Sequence, residues 1–385
     1  MGSVVFGLYI LRKMKNRRVD VEGFYLNNND DKKTIVHITL DEKWIPGYVN
    51  FMKKYMTLYN HIFIIESNRY IKFDNNDNVY FLNNFRSIYT NKQLSAMLEL
   101  ADKIIITGLF NINLYYSLMP TNIFKKTYIH FWGGDFYCLR KKNHGMSAWI
   151  DRITRVMCIK RCAGIILLLE SEYEVFREIC GLDKLHFVAE MPEAIEDINI
   201  CLDDSMQLPV EIIKNRLCIL VGNSATEENQ HIDIFYTIRD CLEEEYELYV
   251  PLSYGNIEYR ETVIQTGQEL FGDHFHAIVD YLSEPVYINL LNAMDVGIFN
   301  NNRQQAMGNI GILLQLGKTV YIRNNTSMYS HYVHQGVFIR DIQEIQLTHR
   351  IKKINYEEQA VNKSIMGKEW KGLHKIKQWE NVFSR

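Results

Sequence analysis

Short runs of β-branched and other apolar residues alternate with helix-forming stretches along most of this chain, and that alternation restricts the fold more than any other property. Strand-like runs at 34–39, 61–65, 103–107, 126–130, 165–169 and 186–188 are separated by helical stretches that include 47–59, 94–100 and 170–178. The same order restarts at 217–221 and continues through 246–250, 277–279, 296–299 and 319–322, again with helices between. Leu217-Cys-Ile-Leu-Val221 is apolar on both faces, as a parallel strand covered on both sides must be. The expectation is an α/β protein whose parallel sheets are wound on both faces.

At 385 residues the chain exceeds what one core usually holds, so two domains are expected. Between Pro192 and Arg216 the pattern lapses into acids and isolated apolar residues. The division read from this is an extension at 1–33, a first domain at 34–200, a hinge at 201–216, a second domain at 217–355 and a helical tail at 356–385. Both halves share one architecture, which predicts two doubly wound, Rossmann-like domains facing across a cleft. A net charge of −3 excludes a globally basic nucleic-acid binder. Seven cysteines without a CxxC pair read as reduced interior residues of a cytoplasmic protein. No run approaches the roughly 20 apolar residues of a spanning helix. The start is apolar at 4–11 and then basic at Arg12, Lys13, Lys15, Arg17 and Arg18, the reverse of a signal peptide; a membrane-surface segment and a frayed extension both fit it.

Three polar constructions follow strands. The run 217–221 leads into Gly222, Asn223, Ser224 and Thr226 and then a helical pattern from about 228. Free N–H groups and a helix dipole at one point favour phosphate, although the same side chains also serve as helix caps. The second runs from Asp295 to Gly311, where a strand delivers Asn300, Asn301, Asn302 and Arg303, and Gly308-Asn309 open an apolar helix. Arg303 can hold two phosphate oxygens in a planar fork, and the amides of Gln304, Gln305 and Asn309 suit sugar hydroxyls. The third is His130-Phe-Trp-Gly-Gly-Asp-Phe-Tyr137. Its paired glycines allow a tight turn and its aromatic rings can stack on a sugar. Asp135 either caps a helix or takes a proton from an acceptor hydroxyl.

The region 139–162 sets Arg140, Lys141, Lys142, Arg152, Arg155, Lys160 and Arg161 against the single acid Asp151, with Met146, Trp149, Ile150, Ile153, Val156 and Met157 at helical spacing. It fits a core-packed helix with a solvated charged face, or an amphipathic helix on an anionic membrane with Trp149 at the interface. The tail, with Trp370, Leu373, Ile376 and Trp379 among lysines, reads as an amphipathic closing helix.

Taken together, His130–Tyr137, Ile219–Ser224 with Asn229 and His231, Val250–Gly255, and Arg303–Gln305 with Gly308 resemble family 56 of the glycosyltransferases, in matching order from about Val36 to Tyr321. The best-known members of that family move 4-acetamido-4,6-dideoxygalactose from a thymidine diphosphate donor to lipid II in enterobacterial common antigen synthesis. The resemblance implies a GT-B fold and a fucosyltransferase-like hexosyltransferase of O-antigen or related surface polysaccharide assembly. It implies a dTDP-sugar bound by Asn223, Ser224, Thr226, Asn229, His231, Tyr254, Arg303, Gln304, Gln305, Gly308 and Asn309. A polyprenyl-diphosphate-linked saccharide would meet His130, Trp132, Gly133, Gly134 and Tyr137, with Asp135 as base. The protein would be peripheral at the cytoplasmic face of the bacterial inner membrane, held by the helix near Trp149, and in proteins of this fold such a tail crosses back onto the first domain.

No metal or other cofactor is expected, because no DxD motif is present. The pair of glutamates eight apart found in many retaining GT-B enzymes is replaced by Gln304 and Ile312, counting back from Gly317, which points to direct displacement. The rival readings are a GT-B-shaped sugar-nucleotide epimerase or hydrolase, and a non-enzymatic nucleotide-sugar sensor.

Overall fold

A computed structural model describes residues 32–385 except 43, 67–77, 83–84, 86–87, 89–90, 112–113, 116–117, 119–121, 141–144, 193–200, 204, 214, 242–244 and 371–372, and leaves out the side chains of 369, 370 and 373. The extension expected at 1–33 thus lies outside the described residues up to 31, as do Lys141, Lys142 and the first part of the lapse after Pro192, 193–200. The chain divides into two compact units, one of residues 1–194 with 373–385 and one of 195–372.

The first unit holds β1 (Thr34–Leu40), β2 (Asn60–Glu66), β3 (Val79–Leu82), β4 (Lys103–Thr107), β5 (Thr127–His130), β6 (Gly164–Leu167) and β7 (His186–Val188). Its helices are α1 (Ile45–Tyr55), α2 (Lys92–Leu100), α3 (Met146–Arg161) and α4 (Glu172–Cys180). The sheet is parallel throughout, in the order β3-β2-β1-β4-β5-β6-β7. Successive side chains point to opposite faces, so Val36, Ile38, Ile104 and Ile106 enter one core and Ile35, Phe63 and Ile105 the other. Local signals set the helix ends. Asn91 caps α2 by accepting from the amides of Gln93 and Leu94, and α4 stops at Gly181, whose φ of 63° is left-handed.

In α3 only some of the apolar residues are packed. Thr154, Arg155, Cys158 and Ile159 turn inward, whereas Met146 is 76 % and Trp149 59 % exposed, and Met157 also faces outward. The helix thus packs on the first core with one face, as the first reading has it, and also leaves Met146, Trp149 and Met157 outside beside the exposed Arg152, Lys160 and Arg161.

The second unit holds β8 (Leu217–Val221), β9 (Tyr246–Pro251), β10 (Phe275–Ile278), β11 (Val296–Phe299), β12 (Thr319–Ile322) and β13 (Arg340–Asp341), in the parallel order β10-β9-β8-β11-β12-β13. Its helices are α5 (His231–Ile238), α6 (Ile257–Phe271), α7 (Glu284–Ala293), α8 (Met307–Gln315), α9 (Ser327–His334), α10 (Ile342–Thr348) and α11 (Tyr356–Trp370). Ile219, Val221, Leu248, Val250 and Ile298 pack with Phe235, Phe271 and Phe275 in its core. The helix expected from about 228 is shorter. Glu227–Asn229 form a 3-10 turn, Gln230 takes a left-handed φ of 52°, and α5 begins only at His231. The segment expected as a hinge, 201–216, is tied into this unit. Asn289 of α7 accepts from the Asp203 amide at 2.9 Å, and the Tyr249 hydroxyl donates to the Glu211 carbonyl at 2.9 Å.

The last helix, α12 (Leu373–Ser384), belongs to the first unit. Glu190, just beyond β7, holds it. Its carboxylate accepts from His374 Nε2 at 3.1 Å and Gln378 Nε2 at 3.3 Å and lies 3.9 Å from Lys375 Nζ. The Glu190 carbonyl accepts the Trp379 indole N–H at 3.0 Å. Trp379 itself is fully buried against Tyr48 and His130.

Both sheets reverse direction after their first strand, between β1 and β4 and between β8 and β11. Open parallel sheets bind ligands at such reversals, outside the carboxyl ends of the strands.

Candidate active site

At the second reversal β8 and β11 run in register, with Ile298 opposite Val221, so the turns leaving them emerge side by side. The Gly222 amide donates to the Ile298 carbonyl at 2.9 Å. Gly222 has a φ of 70°, and a β-carbon there would strike the His231 ring and crowd Asn229, so the position requires glycine. Asn229 is the post around which the turn is built. Its Oδ1 accepts the Asn223 amide at 3.1 Å, and its Nδ2 donates to Ser224 Oγ at 3.1 Å and Thr226 Oγ1 at 2.8 Å. Gln305, from the loop after β11, brings its Nε2 within 3.1 Å of Thr226 Oγ1, 3.3 Å of Ser224 Oγ and 3.4 Å of Asn223 Oδ1. The turn after β9 joins them. Tyr254 accepts from Asn223 Nδ2 at 2.9 Å, and Ala225 bridges to Gly255. Three turns separated in sequence thus form one polar rim.

Beyond Gln305 the chain passes Ala306, at a left-handed φ of 60°, into α8. The opening amides of a helix have no partner inside it. A β-carbon added at Gly308 would meet nothing within 4 Å, so this helix start faces open space. Arg303 donates to the Gln304 carbonyl at 2.9 Å and makes no ion pair among the described residues. Asn309 Nδ2 donates to the Tyr287 hydroxyl at 2.8 Å. A guanidinium, a helix N-terminus and surrounding amides can together take up the charge of a departing diphosphate.

Two residues expected at the donor lie behind the rim. Asn229 is 1 % exposed and His231 fully buried, and burial holds the imidazole down at about 3. They shape the turn, because Asn229 spends its amide on neighbouring residues and His231 packs beneath Gly222.

At the first reversal, β4 leads into Gly108-Leu-Phe-Asn111. This loop is fixed from three sides. The Leu109 amide donates to Asp135 Oδ2 at 2.9 Å, Arg155 holds the Leu109 carbonyl, and Asn111 bonds Glu66 at the end of β2. Phe110 is 40 % exposed; its ring lies 5.9 Å from that of Trp132, which meets Trp44 edge-on at 4.9 Å. Neither indole N–H has a partner among the described residues. Such a shelf suits the apolar face of a sugar. Trp44 and Phe110 were missed from sequence. Each is a lone aromatic in a loop, and their position after β1 and β4 was the only signal.

The expected base and most of the expected acceptor residues lie inward. Asp135 is completely buried, with Oδ1 accepting the Trp132 amide at 3.0 Å and Oδ2 the Leu109 amide. Burial raises its carboxyl to about 6, against the opposing pull of the amides and Arg155. With each oxygen holding a backbone amide in the interior, it positions two loops and does not reach an acceptor hydroxyl. His130 is also fully buried, its Nε2 2.9 Å from the Ala189 carbonyl, and burial lowers it to about 4. Tyr137 points into the core and donates to Glu172 at 2.9 Å. Gly133, at a φ of 92°, makes the turn into Gly134 that leaves Trp132 at the surface. Among the described residues no group of three or more His, Cys, Asp or Glu side chains could hold a metal ion.

Comparison with known proteins bears on the family and the fold. Residues 56–366 match the family described as 4-alpha-L-fucosyltransferase, glycosyl transferase group 56. A glycosyltransferase from Rickettsia africae is similar over 92 % of this chain and 98 % of its own, at 13 % identity and a TM-score of 0.62. An E. coli trehalose-6-phosphate protein bound with UDP-2-fluoro glucose is similar over 91 % and 98 %, at 10 % identity and 0.60. A protein from Listeria monocytogenes described as a UDP-N-acetylglucosamine 2-epimerase is similar over 89 % and 91 %, at 14 % identity and 0.51. At these identities the likenesses establish the fold, the GT-B arrangement of two parallel-sheet α/β units.

Proposed function

Because this chain belongs to glycosyl transferase group 56 and is a glycosyltransferase, we propose that it moves a 4-acetamido-4,6-dideoxyhexose from a dTDP-sugar to a polyprenyl-diphosphate-linked saccharide. The observation that carries this reading is the meeting of the Asn223 turn and the Arg303–Asn309 segment at one reversal, bridged by Gln305. The diphosphate lies against the start of α8 and Arg303, and their fixed charge stabilises the leaving group as it departs. The acceptor sugar stacks on Phe110 and Trp132. The transfer runs without a bound metal, so activity persists in excess chelator.

The exposed Met146, Trp149 and Met157, with Arg152, Lys160 and Arg161 beside them, support attachment of α3 to the anionic cytoplasmic face of the bacterial inner membrane, where a lipid-linked acceptor resides. The likeness to an epimerase keeps one rival in view, a protein that isomerises or hydrolyses the nucleotide sugar without an acceptor.

Thermal shift with dTDP and dTMP, followed by a transfer assay on a short polyprenyl-diphosphate saccharide, tests the proposal. Greater stabilisation by dTDP, through binding to the native state, and sugar transfer only with acceptor present are expected. Equal shifts with both nucleotides, or turnover without acceptor, contradict it.

A further inference from the structure

Tyr287 stands in the first turn of α7 and reaches across to the first turn of α8, where its hydroxyl oxygen accepts from Asn309 Nδ2 at 2.8 Å. That is the only bond to this hydroxyl among the described residues. A phenol hydroxyl both accepts and donates, so its hydrogen is left unspent. Burial, with the neighbouring Tyr254 phenol, pushes Tyr287 well above the usual tyrosine value, and no carboxylate adds to that shift. At neutral pH the group is therefore a fixed neutral donor whose hydrogen no acid of the protein claims.

The groups beside it are donors as well. Ile310 is the first residue of α8 whose amide finds a carbonyl within the helix, that of Ala306, and the amides of Met307, Gly308 and Asn309 before it have no partner there. The place is open to a ligand. Gly308 is exposed, a β-carbon on it would meet nothing within 4 Å, and Tyr287 and Asn309 beside it are only half-buried. What answers one O–H and several N–H donors at once is a group made of acceptors. A diphosphate is such a group, whereas sugar hydroxyls bring hydrogens of their own and need acceptors in return.

We propose that Tyr287 is a catalytic residue of the transfer, its hydroxyl donating to the terminal phosphate of the nucleotide sugar and holding the diphosphate as it leaves. This rests on the glycosyltransferase reading and adds to it a neutral donor from α7, outside the polar runs that follow β8 and β11. In the step itself the bond between the anomeric carbon and the phosphate oxygen breaks, and its electron pair stays on that oxygen. The acceptor oxygen bonds to the carbon, the acceptor's proton passes to water, and Tyr287 keeps its own. Because the phosphate gains negative charge as the bond breaks, the hydrogen bond from Tyr287 strengthens on the way to the transition state and acts on kcat more than on KM.

The test is Tyr287→Phe, which keeps the ring and removes only the hydroxyl. In transfer from dTDP-4-acetamido-4,6-dideoxygalactose to a polyprenyl-diphosphate saccharide, kcat falls about 10²–10³-fold while KM stays within about threefold of wild type. Calorimetric titration supplies a second readout, with UDP and UMP as a parallel pair. The variant binds dTDP about tenfold or more weakly and dTMP within about twofold of wild type, the retained dTMP binding showing that it is folded. A kcat within about threefold of wild type overturns the assignment. So do equal losses for dTDP and dTMP with a melting temperature several degrees lower, which mark a hydroxyl that only braces Asn309. A wild-type protein that binds none of the four nucleotides and transfers no sugar overturns the proposed donor itself, a result distinct from the others.

Discussion

Asp135 follows two glycines in an aromatic turn, a setting that from sequence reads as a helix cap or a catalytic base, yet its carboxylate is wholly inside and joined to the amides of Leu109 and Trp132. Asparagine has one acceptor oxygen where aspartate has two, so Asp135→Asn leaves one of those amides facing an NH₂ group. A loss of about 1–3 kcal/mol in stability is expected, measurable by denaturant unfolding. A base would behave otherwise, losing about 10²–10⁴ in rate with stability intact.

Buried imidazoles set the acid limit of the fold. His61 and His130 are lowered to about 4 and His231 to about 3, in each case chiefly by burial. Between those values and 6.5 the unfolded chain binds more protons than the folded one, so stability falls as pH drops through that window. Asp135, raised to about 6, acts in the opposite sense between 6 and its ordinary value of 3.8, since its folded form takes the proton first. His37, also lowered by burial, adds to the imidazoles, and Glu66, raised by burial, sides with Asp135; four imidazoles against two carboxyls make the net slope destabilising, and melting temperatures measured from pH 7.5 to 4.5 should decline, most steeply below 6.5. None of this was legible in sequence. A histidine at the end of a strand looks the same whether it meets ligand or core, and burial of His130 is decided by α12, more than two hundred residues later.

At the level of elements, the strands carrying long β-branched runs were readable because both sides of each sheet are covered. What escaped were β3, β13, α9 and α10. The first two are short strands at sheet edges, where half the pairing and one neighbour are missing and the sequence needs no sustained apolar pattern. β10 lies at 275–278 and not at 277–279, since Phe275 pairs with Leu248 and packs against Phe235. The outer face of α3 could not be told from an inner one by spacing alone. Trp149→Ala and paired reversal of Arg152 and Lys160 to glutamate should each reduce co-sedimentation with anionic vesicles, the reversal most strongly at low salt; equal recovery on neutral and anionic vesicles speaks against membrane attachment.

The closing helix gives a further test. Glu190 is held near 2, as the bonds from His374 and Gln378 and the charge of Lys375 outweigh its burial. Its folded value lies below its usual one, so its contribution is present above about 4.5 and fades as pH falls toward 2. Glu190→Gln removes a counter-charge of the buried Lys375 and weakens the bond from His374, and a cost of about 1–3 kcal/mol is expected. Hydrogen exchange should quicken first in α12.

On the scale of the whole chain, two sheets with one strand order, each reversing after its first strand, put ligand-facing turns where the chain leaves β1 and β4 and where it leaves β8 and β11. The second of these was readable as two polar runs following apolar strands, although which residues line the rim and which stand behind it depended on packing. The first was mostly hidden, because its shelf combines Trp44, Phe110 and Trp132 from three loops far apart in sequence. The decisive measurement is amide hydrogen exchange of the whole protein with and without dTDP. Slower exchange concentrated at residues 222–226 and 303–310 is the expected result, whereas protection confined to other segments, or none at saturating nucleotide, would contradict a diphosphate site at the β8–β11 reversal.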